Sequence, residues 1–235
     1  MNMSRTAIVS AMHEELSAVL ALLPDEQKQV AGRRDYFVGH LHGQEVVAVL
    51  SRIGKVAAAT TATALIERFA VDRIVFTGLA GGLAPGVQRG DVVVADSFLQ
   101  HDLDASPLFP RYEVPLYGTD RLATDAALTE QLDQAVRRAL HGTRVHRGLV
   151  VSGDRFVASS AECRALQQAL PDALAVEMEG AAFAQVCHDY GVPFAAVRTV
   201  SDRADDEAHG DFLGFIRDVA SRHSAAIVAA LLGGA

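Results

Sequence analysis

Short apolar runs of strand length recur along this chain, and segments of helical spacing separate them. The runs fall at 6–11, 36–41, 45–50, 73–77, 90–96, 146–154, 174–176 and 193–200. Several are continuous rather than alternating, as expected for strands covered on both faces. Between them, Leu16, Val19, Leu20 and Leu23 mark a helix stopped by Pro24. Small side chains at 56–62 mark a second helix, and 124–140 reads as a surface helix. Further helices are expected from about Ser160, from Gly180, and from about Gly210 to Leu232. The 36–41 and 45–50 strands are joined by a tight turn at His42-Gly43-Gln44, with His40 and His42 solvated beside it. No linker, repeat or low-complexity segment interrupts the alternation. The expected fold is one α/β domain over residues 1–235, with helices around a central sheet.

Composition narrows the function. The chain has 235 residues, half of them hydrophobic, enough for one large core. A net charge of −8 without a long basic run excludes nucleic acid as an expected partner. Two cysteines, Cys163 and Cys187, form no disulfide framework and fit a reducing cytoplasm. No stretch has the character of a signal peptide or membrane span, so no membrane association is expected.

The candidate chemistry centres on Ala175-Val176-Glu177-Met178-Glu179-Gly180-Ala181-Ala182-Phe183. Two carboxylates stand two residues apart where an apolar strand turns into a helix of small residues. If that stretch stays extended, both side chains share one face. Paired like charges beside an apolar strand oppose stability, so they point to a site. Glu15, at the start of the first helix, and Asp202, after the last strand, also stand at strand ends. In α/β folds such ends gather around one cleft. Phe156 follows another strand and either stacks on a planar ligand or caps the core. Gly54-Lys55 lacks the Walker spacing and is not a P-loop. Residues 78–86 read as a glycine-rich loop that permits close approach of a ligand. The long 101–118 segment reads as a functional or interface loop. His101-Asp102-Leu103-Asp104 has metal-capable side chains but no second cluster, so no metal is expected. Three of these carboxyls, Glu15, Glu179 and Asp202, with the aromatic ring suit acid–base chemistry, such as cleavage at a sugar's anomeric carbon through an oxocarbenium-like state.

Six motifs then occur in a familiar order. They are Ala11-Met12-His13-Glu14-Glu15, the run 51–59 from Ser51-Arg52-Ile53-Gly54-Lys55, Thr77-Gly78-Leu79-Ala80-Gly81-Gly82, Val151-Ser152-Gly153-Asp154-Arg155-Phe156, Ala175-Val176-Glu177-Met178-Glu179 and Val200-Ser201-Asp202. Together they resemble the 5'-methylthioadenosine/S-adenosylhomocysteine nucleosidases of the purine nucleoside phosphorylase-like superfamily. The resemblance covers nearly the whole chain. It implies a three-layer αβα fold with a central mixed, twisted sheet, a cytoplasmic homodimer acting in methionine salvage, and no cofactor. The implied reaction is hydrolysis of the N-glycosidic bond of 5'-methylthioadenosine or S-adenosylhomocysteine, with release of adenine.

By the same resemblance, Glu15 is the base that activates water and Asp202 is the acid that protonates purine N7. Ser201 orients Asp202, Glu179 binds ribose hydroxyls, Met178 lies against the sugar, and Glu177 supports. Phe156 stacks on adenine while the Val157 backbone reads its edge. Met12, Ile53 and Phe212 line an apolar 5' pocket, and the 101–118 loop reaches the partner's site.

Some residues depart from the family pattern. Leu79 replaces a small hydroxyl residue, Arg52 a glycine, Arg203 is unusual, and the segment 105–110 differs. These leave a related nucleosidase or phosphorylase as the alternative, whether futalosine-type or phosphate-dependent. Against phosphorolysis, Phe76 and Leu79 fall where related phosphorylases carry a phosphate-binding arginine and hydroxyl. A silent nucleoside-binding protein is the rival from another class.

Overall fold

The structure is a computed structural model that describes residues 4–204 and 215–233. Strand β1 (Arg5–Ser10) leads into α1 (His13–Leu20). An antiparallel group follows: β2 (Gln27–Ala31), β3 (Arg34–Leu41) and β4 (Gln44–Leu50). The β3–β4 turn carries His42 at φ 50° and Gly43 at φ 77°. Two successive left-handed residues match the right-handed twist of the flanking strands. Strand β2 has no apolar signature because it is exposed over all but its last residue. It forms the polar edge of the sheet, where Lys28 and Gln29 discourage pairing with another chain.

Helix α2 (Lys55–Phe69) then returns the chain to β5 (Arg73–Gly82). Next come β6 (Val92–Gln100), the short β7 (Leu122–Ala123), α3 (Ala126–Ala139), β8 (Val145–Ser152) and α4 (Ser160–Ala169). Strand β9 (Ala173–Glu177), α5 (Gly180–Tyr190) and β10 (Phe194–Asp202) follow. A π-helical turn (Ile216–Ala220) and α6 (Ser221–Leu232) close the described chain. The helix expected from Gly210 is thus described only from its later part, and Phe212 lies outside the described residues.

The glycine-rich stretch is strand rather than loop through Gly82, which corrects the sequence reading. It is held on both sides, by β10 in parallel up to Asp202↔Gly81 and by β9 at Gly81↔Val176 and Gly82↔Ala175. The glycines make room for neighbouring side chains. A Cβ at Gly81 would lie 2.9 Å from the Ala204 methyl and 3.0 Å from Asp202 Oδ1.

The sheet has two parallel sets. β4, β1, β5 and β10 form one, and β6, β8 and β9 the other. The sets meet antiparallel at β10–β6 and β5–β9, so the strands from β5 through β10, β6, β8 and β9 close on themselves. Helices α2 and α5 pack on one face, while α1, α3 and α6 pack on the other. This is the three-layer mixed architecture expected from the sequence. Helix α5 approaches closely because Gly180 has no side chain: a Cβ there would run into the Phe98 ring. Among the described residues, no helix is long and apolar enough to cross a membrane.

Candidate active site

The cavity forms where the two parallel sets meet, so carboxyl ends of strands from both sets surround it. The sequence expectation of one parallel set converging on one cleft needs that amendment. Met12 follows β1, Ile53 follows β4, and Leu79, Ala80 and Gly81 come from the end of β5. Arg155, Phe156 and Val157 follow β8, Glu177, Met178 and Glu179 end β9, and Ser201 and Asp202 end β10. Every described residue expected at the site except Glu15 therefore lines one cavity. Phe156 remains 43% exposed at the cavity wall. Val157 is buried.

Glu15 stands in the first turn of α1 and is fully buried. Its Oε2 accepts a 3.2 Å hydrogen bond from the Met12 N–H, and its Oε1 has no partner among the described residues. Burial pushes its pKa up to about 7, against the lowering effects of the Met12 N–H and the Arg198 charge. The helix start holds this acid, but stabilisation of the helix alone would leave it solvated.

Glu177 and Glu179 do not share one environment, because the chain leaves the extended conformation between them. Glu179 already has φ −134° and ψ −38°. Glu177 accepts from Glu179 N at 3.1 Å, from Gly180 N at 2.8 Å, and from Ser152 Oγ. It also forms a buried ion pair with Arg198 Nη2 at 2.9 Å. Its lone pairs are spent on the protein. Glu179 accepts from the Gly54 N–H at 2.8 Å. Desolvation, then the nearby Glu177 charge, raise its pKa well above the carboxylate range.

Arg198 escaped the sequence reading. It sits inside an apolar strand, 1% exposed, and also donates to the carbonyls of Phe76 and Val197 at 3.1 Å. Its guanidinium lies 4.0 Å over the Phe76 ring. A cation in a continuous apolar run must be paired. That rule, with Glu177 as the available acid, is the signal that could have found it.

Asp202 is held at both oxygens. Ser201 Oγ donates to Oδ2 at 2.6 Å, and the Ala204 N–H donates to Oδ1 at 2.7 Å. Asp102 does not form a metal site; it pairs with Lys55 Nζ at 2.6 Å. Among the described residues, no group of three or more His, Cys, Asp or Glu side chains is arranged to hold a metal ion.

A closed mixed sheet in an αβα sandwich, with an aromatic and several carboxyls at the strand ends, is the architecture of the phosphorylase superfamily, whose sequence model matches residues 5–233. Within it, the chain belongs to the 5'-methylthioadenosine/S-adenosylhomocysteine nucleosidase family. It is 36% identical to the nucleosidase of that name from Shewanella denitrificans, over 97% of this chain and 98% of the relative. The structure is similar to that of the Neisseria meningitidis nucleosidase in complex with methylthio-immucillin-A. There the TM-score is 0.92 and the identity 37%, covering 97% of this chain and 98% of the other. It is also similar to the native futalosine hydrolase of Helicobacter pylori strain 26695, with TM-score 0.91, 31% identity and 98% coverage of each chain.

Proposed function

We propose that this protein is an N-glycosyl hydrolase that cleaves 5'-methylthioadenosine and S-adenosylhomocysteine and releases adenine. One observation carries the reading most directly. Two carboxyls of different character serve one cavity: Asp202 lines it, held by Ser201 and the Ala204 N–H, and Glu15 is buried behind its wall, bonded to the N–H of the lining residue Met12 and tuned by burial to about 7. A base with a pKa near the working pH is well matched to deprotonating water.

The steps follow from these positions. Phe156 covers the adenine ring, and the Val157 backbone reads its edge. Asp202 gives a proton to N7, so the electron pair of the breaking N9–C1' bond is accepted by an N7-protonated purine that leaves as neutral adenine. Glu179 binds the ribose hydroxyls, with Met178 against the sugar. Water attacks C1' and passes its proton to Glu15. The products are adenine and the 5'-substituted ribose. Glu177 supports this set by neutralising Arg198, and Met12 and Ile53 form the apolar 5' pocket, to which the resemblance adds Phe212.

Water rather than phosphate is the nucleophile. Arg155, at the cavity wall, pairs with Glu162 at 2.6 Å, and Arg198 is held by Glu177. Apolar Leu79 faces the cavity. A phosphate dianion would meet no unpaired lining cation among the described residues.

The active form is a homodimer in the cytoplasm, with the 101–118 loop near the partner's site. Ile53, Val56, Leu108 and Leu116 are 60–89% exposed, an amount of bare apolar surface that a partner subunit would cover. Cys163 and Cys187 are buried and not joined in a disulfide, which suits a reducing compartment.

The test is base release from 5'-methylthioadenosine, S-adenosylhomocysteine, adenosine, inosine and futalosine, each with and without phosphate. Adenine release from the first two without phosphate is expected. Strict phosphate dependence, or cleavage of futalosine or inosine alone, would overturn the assignment.

A further inference from the structure

A second cavity, of about 500 Å³, lies between α1 and the β3–β4 strands. Arg33, Arg34 and Arg52 line it together with His13. Among the described residues, none of these four pairs with a carboxylate. Asp35, the acid in the same lining, is already bound to Lys28 at 2.6 Å. Arg52 donates to the Arg33 carbonyl, and Arg34 donates to the Ala57 carbonyl at 3.3 Å. Arg34 Nε is buried without a partner among the described residues. Three guanidiniums with unspent donors thus converge on one cavity in a protein whose net charge is −8.

Two further observations give the cluster a direction. Arg52 has a left-handed backbone, with φ 65°, whereas φ 58° at Arg33 belongs to the two-residue β2–β3 turn that it forms with Gly32. Glycine holds the Arg52 conformation at less cost, so an arginine there opposes local stability, and such outliers gather at functional positions. The cavity is also next to the nucleoside site along two separate stretches of chain. Met12 and Ile53 line the nucleoside cavity, while their neighbours His13 and Arg52 line the second one.

We propose that this second cavity is an anion subsite in which Arg52, Arg33 and Arg34 receive the negatively charged end of a 5' substituent. The proposal rests on the nucleosidase reading and narrows it: the favoured substrates are nucleosides whose 5' group ends in a carboxylate or a comparable anion. S-adenosylhomocysteine carries such a carboxylate, beside an ammonium on the same carbon, at the end of a short aliphatic chain, whereas 5'-methylthioadenosine ends in a neutral methyl. Guanidinium suits this task because its planar donors match a carboxylate in pairs. The apolar 5' pocket binds both substrates alike, so the arginines supply the discrimination.

The test measures kcat/KM for S-adenosylhomocysteine and 5'-methylthioadenosine in the wild type, Arg52→Gly and Arg33→Ala. Glycine at φ 65° suits the Arg52 backbone, so that variant is expected to fold, and a melting curve checks it. The expected result is a fall of about tenfold in the ratio of the two constants for Arg52→Gly, the size of a lost charge-assisted contact. The same ratio in the wild type falls as salt rises, because the contact is exposed. An unchanged ratio in both variants overturns the subsite while leaving the nucleosidase reading intact. A wild type that cleaves neither nucleoside overturns that reading and the subsite with it.

Discussion

Glu15 shows at the scale of one residue how stability and chemistry oppose each other. Its pKa of about 7 in the folded chain lies above the ordinary glutamate value of about 4.5, so folding favours its protonated form. The stability it contributes is present below about 4.5 and is lost as pH rises through about 7. Glu15→Gln keeps a neutral side chain of similar shape at every pH. Its melting temperature should match the wild type near pH 4.5 and exceed it by a growing margin up to pH 8; a constant margin would contradict the buried assignment. The same variant should lose about 10²–10⁴-fold in turnover, because the base is gone. In the wild type, kcat/KM should rise with pH through about 7 as Glu15 loses its proton. Arg198→Met addresses the neighbouring ion pair. It leaves Glu177 buried and uncompensated, and removing one partner of such a pair costs about 3–5 kcal/mol. Denaturant unfolding should show that loss, whereas Arg198→Met with Glu177→Gln should recover part of it.

Secondary-structure elements, rather than isolated side chains, place the ribose end of the site. The start of α2 is tied down at several points. The Gly54 N–H donates to Glu179, and the Lys55 N–H donates to Asp154 Oδ1 at 2.7 Å. Lys55 Nζ reaches Gln100 at 3.0 Å and Asp102 at 2.6 Å, and Asp102 in turn accepts from the Asp154 N–H at 2.9 Å. Two carboxylates at a helix N-terminus also suit its dipole. Lys55→Met should therefore act on substrate binding through Glu179. We expect KM to rise about three- to tenfold with kcat little changed, since a partly exposed pair is worth about 1 kcal/mol. A fall in kcat with KM constant would contradict that positioning role.

Some of this scale was legible in the sequence and some was not. The apolar runs announced β1, β4, β8 and β10 because both faces of those strands are covered. The small residues after Glu179 announced a close-packed helix, and Phe98 beneath Gly180 is the reason. Strand β2 was invisible because it buries almost nothing. Gly78 to Gly82 were misread as loop because glycine leaves no propensity signal, and only the pairing with β10 and β9 makes them strand. The carboxyls and Phe156 stood out by residue type, whereas the links between Lys55, Asp102 and Asp154 span 47 to 99 residues and leave no local trace.

For the whole molecule, the mixed sheet explains why residues from six strands meet. Antiparallel sets ordinarily point their carboxyl ends apart; here β5 and β9 pair only through their last residues, at Gly81↔Val176 and Gly82↔Ala175, so the two sets of ends abut and Phe156 and Glu177 come to the side of Met12 and Asp202. The proposed dimer belongs to this scale. Leu108→Glu with Leu116→Glu changes residues that are 84% and 89% exposed, so the monomer fold should persist. Sedimentation should show twice the chain mass for the wild type and a concentration-dependent shift toward the single-chain mass for the variant. A wild type that sediments as one chain at all concentrations would contradict the dimer.

The most direct measurement is turnover of 5'-methylthioadenosine in ¹⁸O-labelled water, with free phosphate removed and then restored. Hydrolysis predicts stoichiometric adenine and one labelled oxygen on the anomeric carbon of the released sugar, unaffected by phosphate. A phosphorylated sugar without label, or adenine formed only once phosphate is present, would contradict hydrolysis.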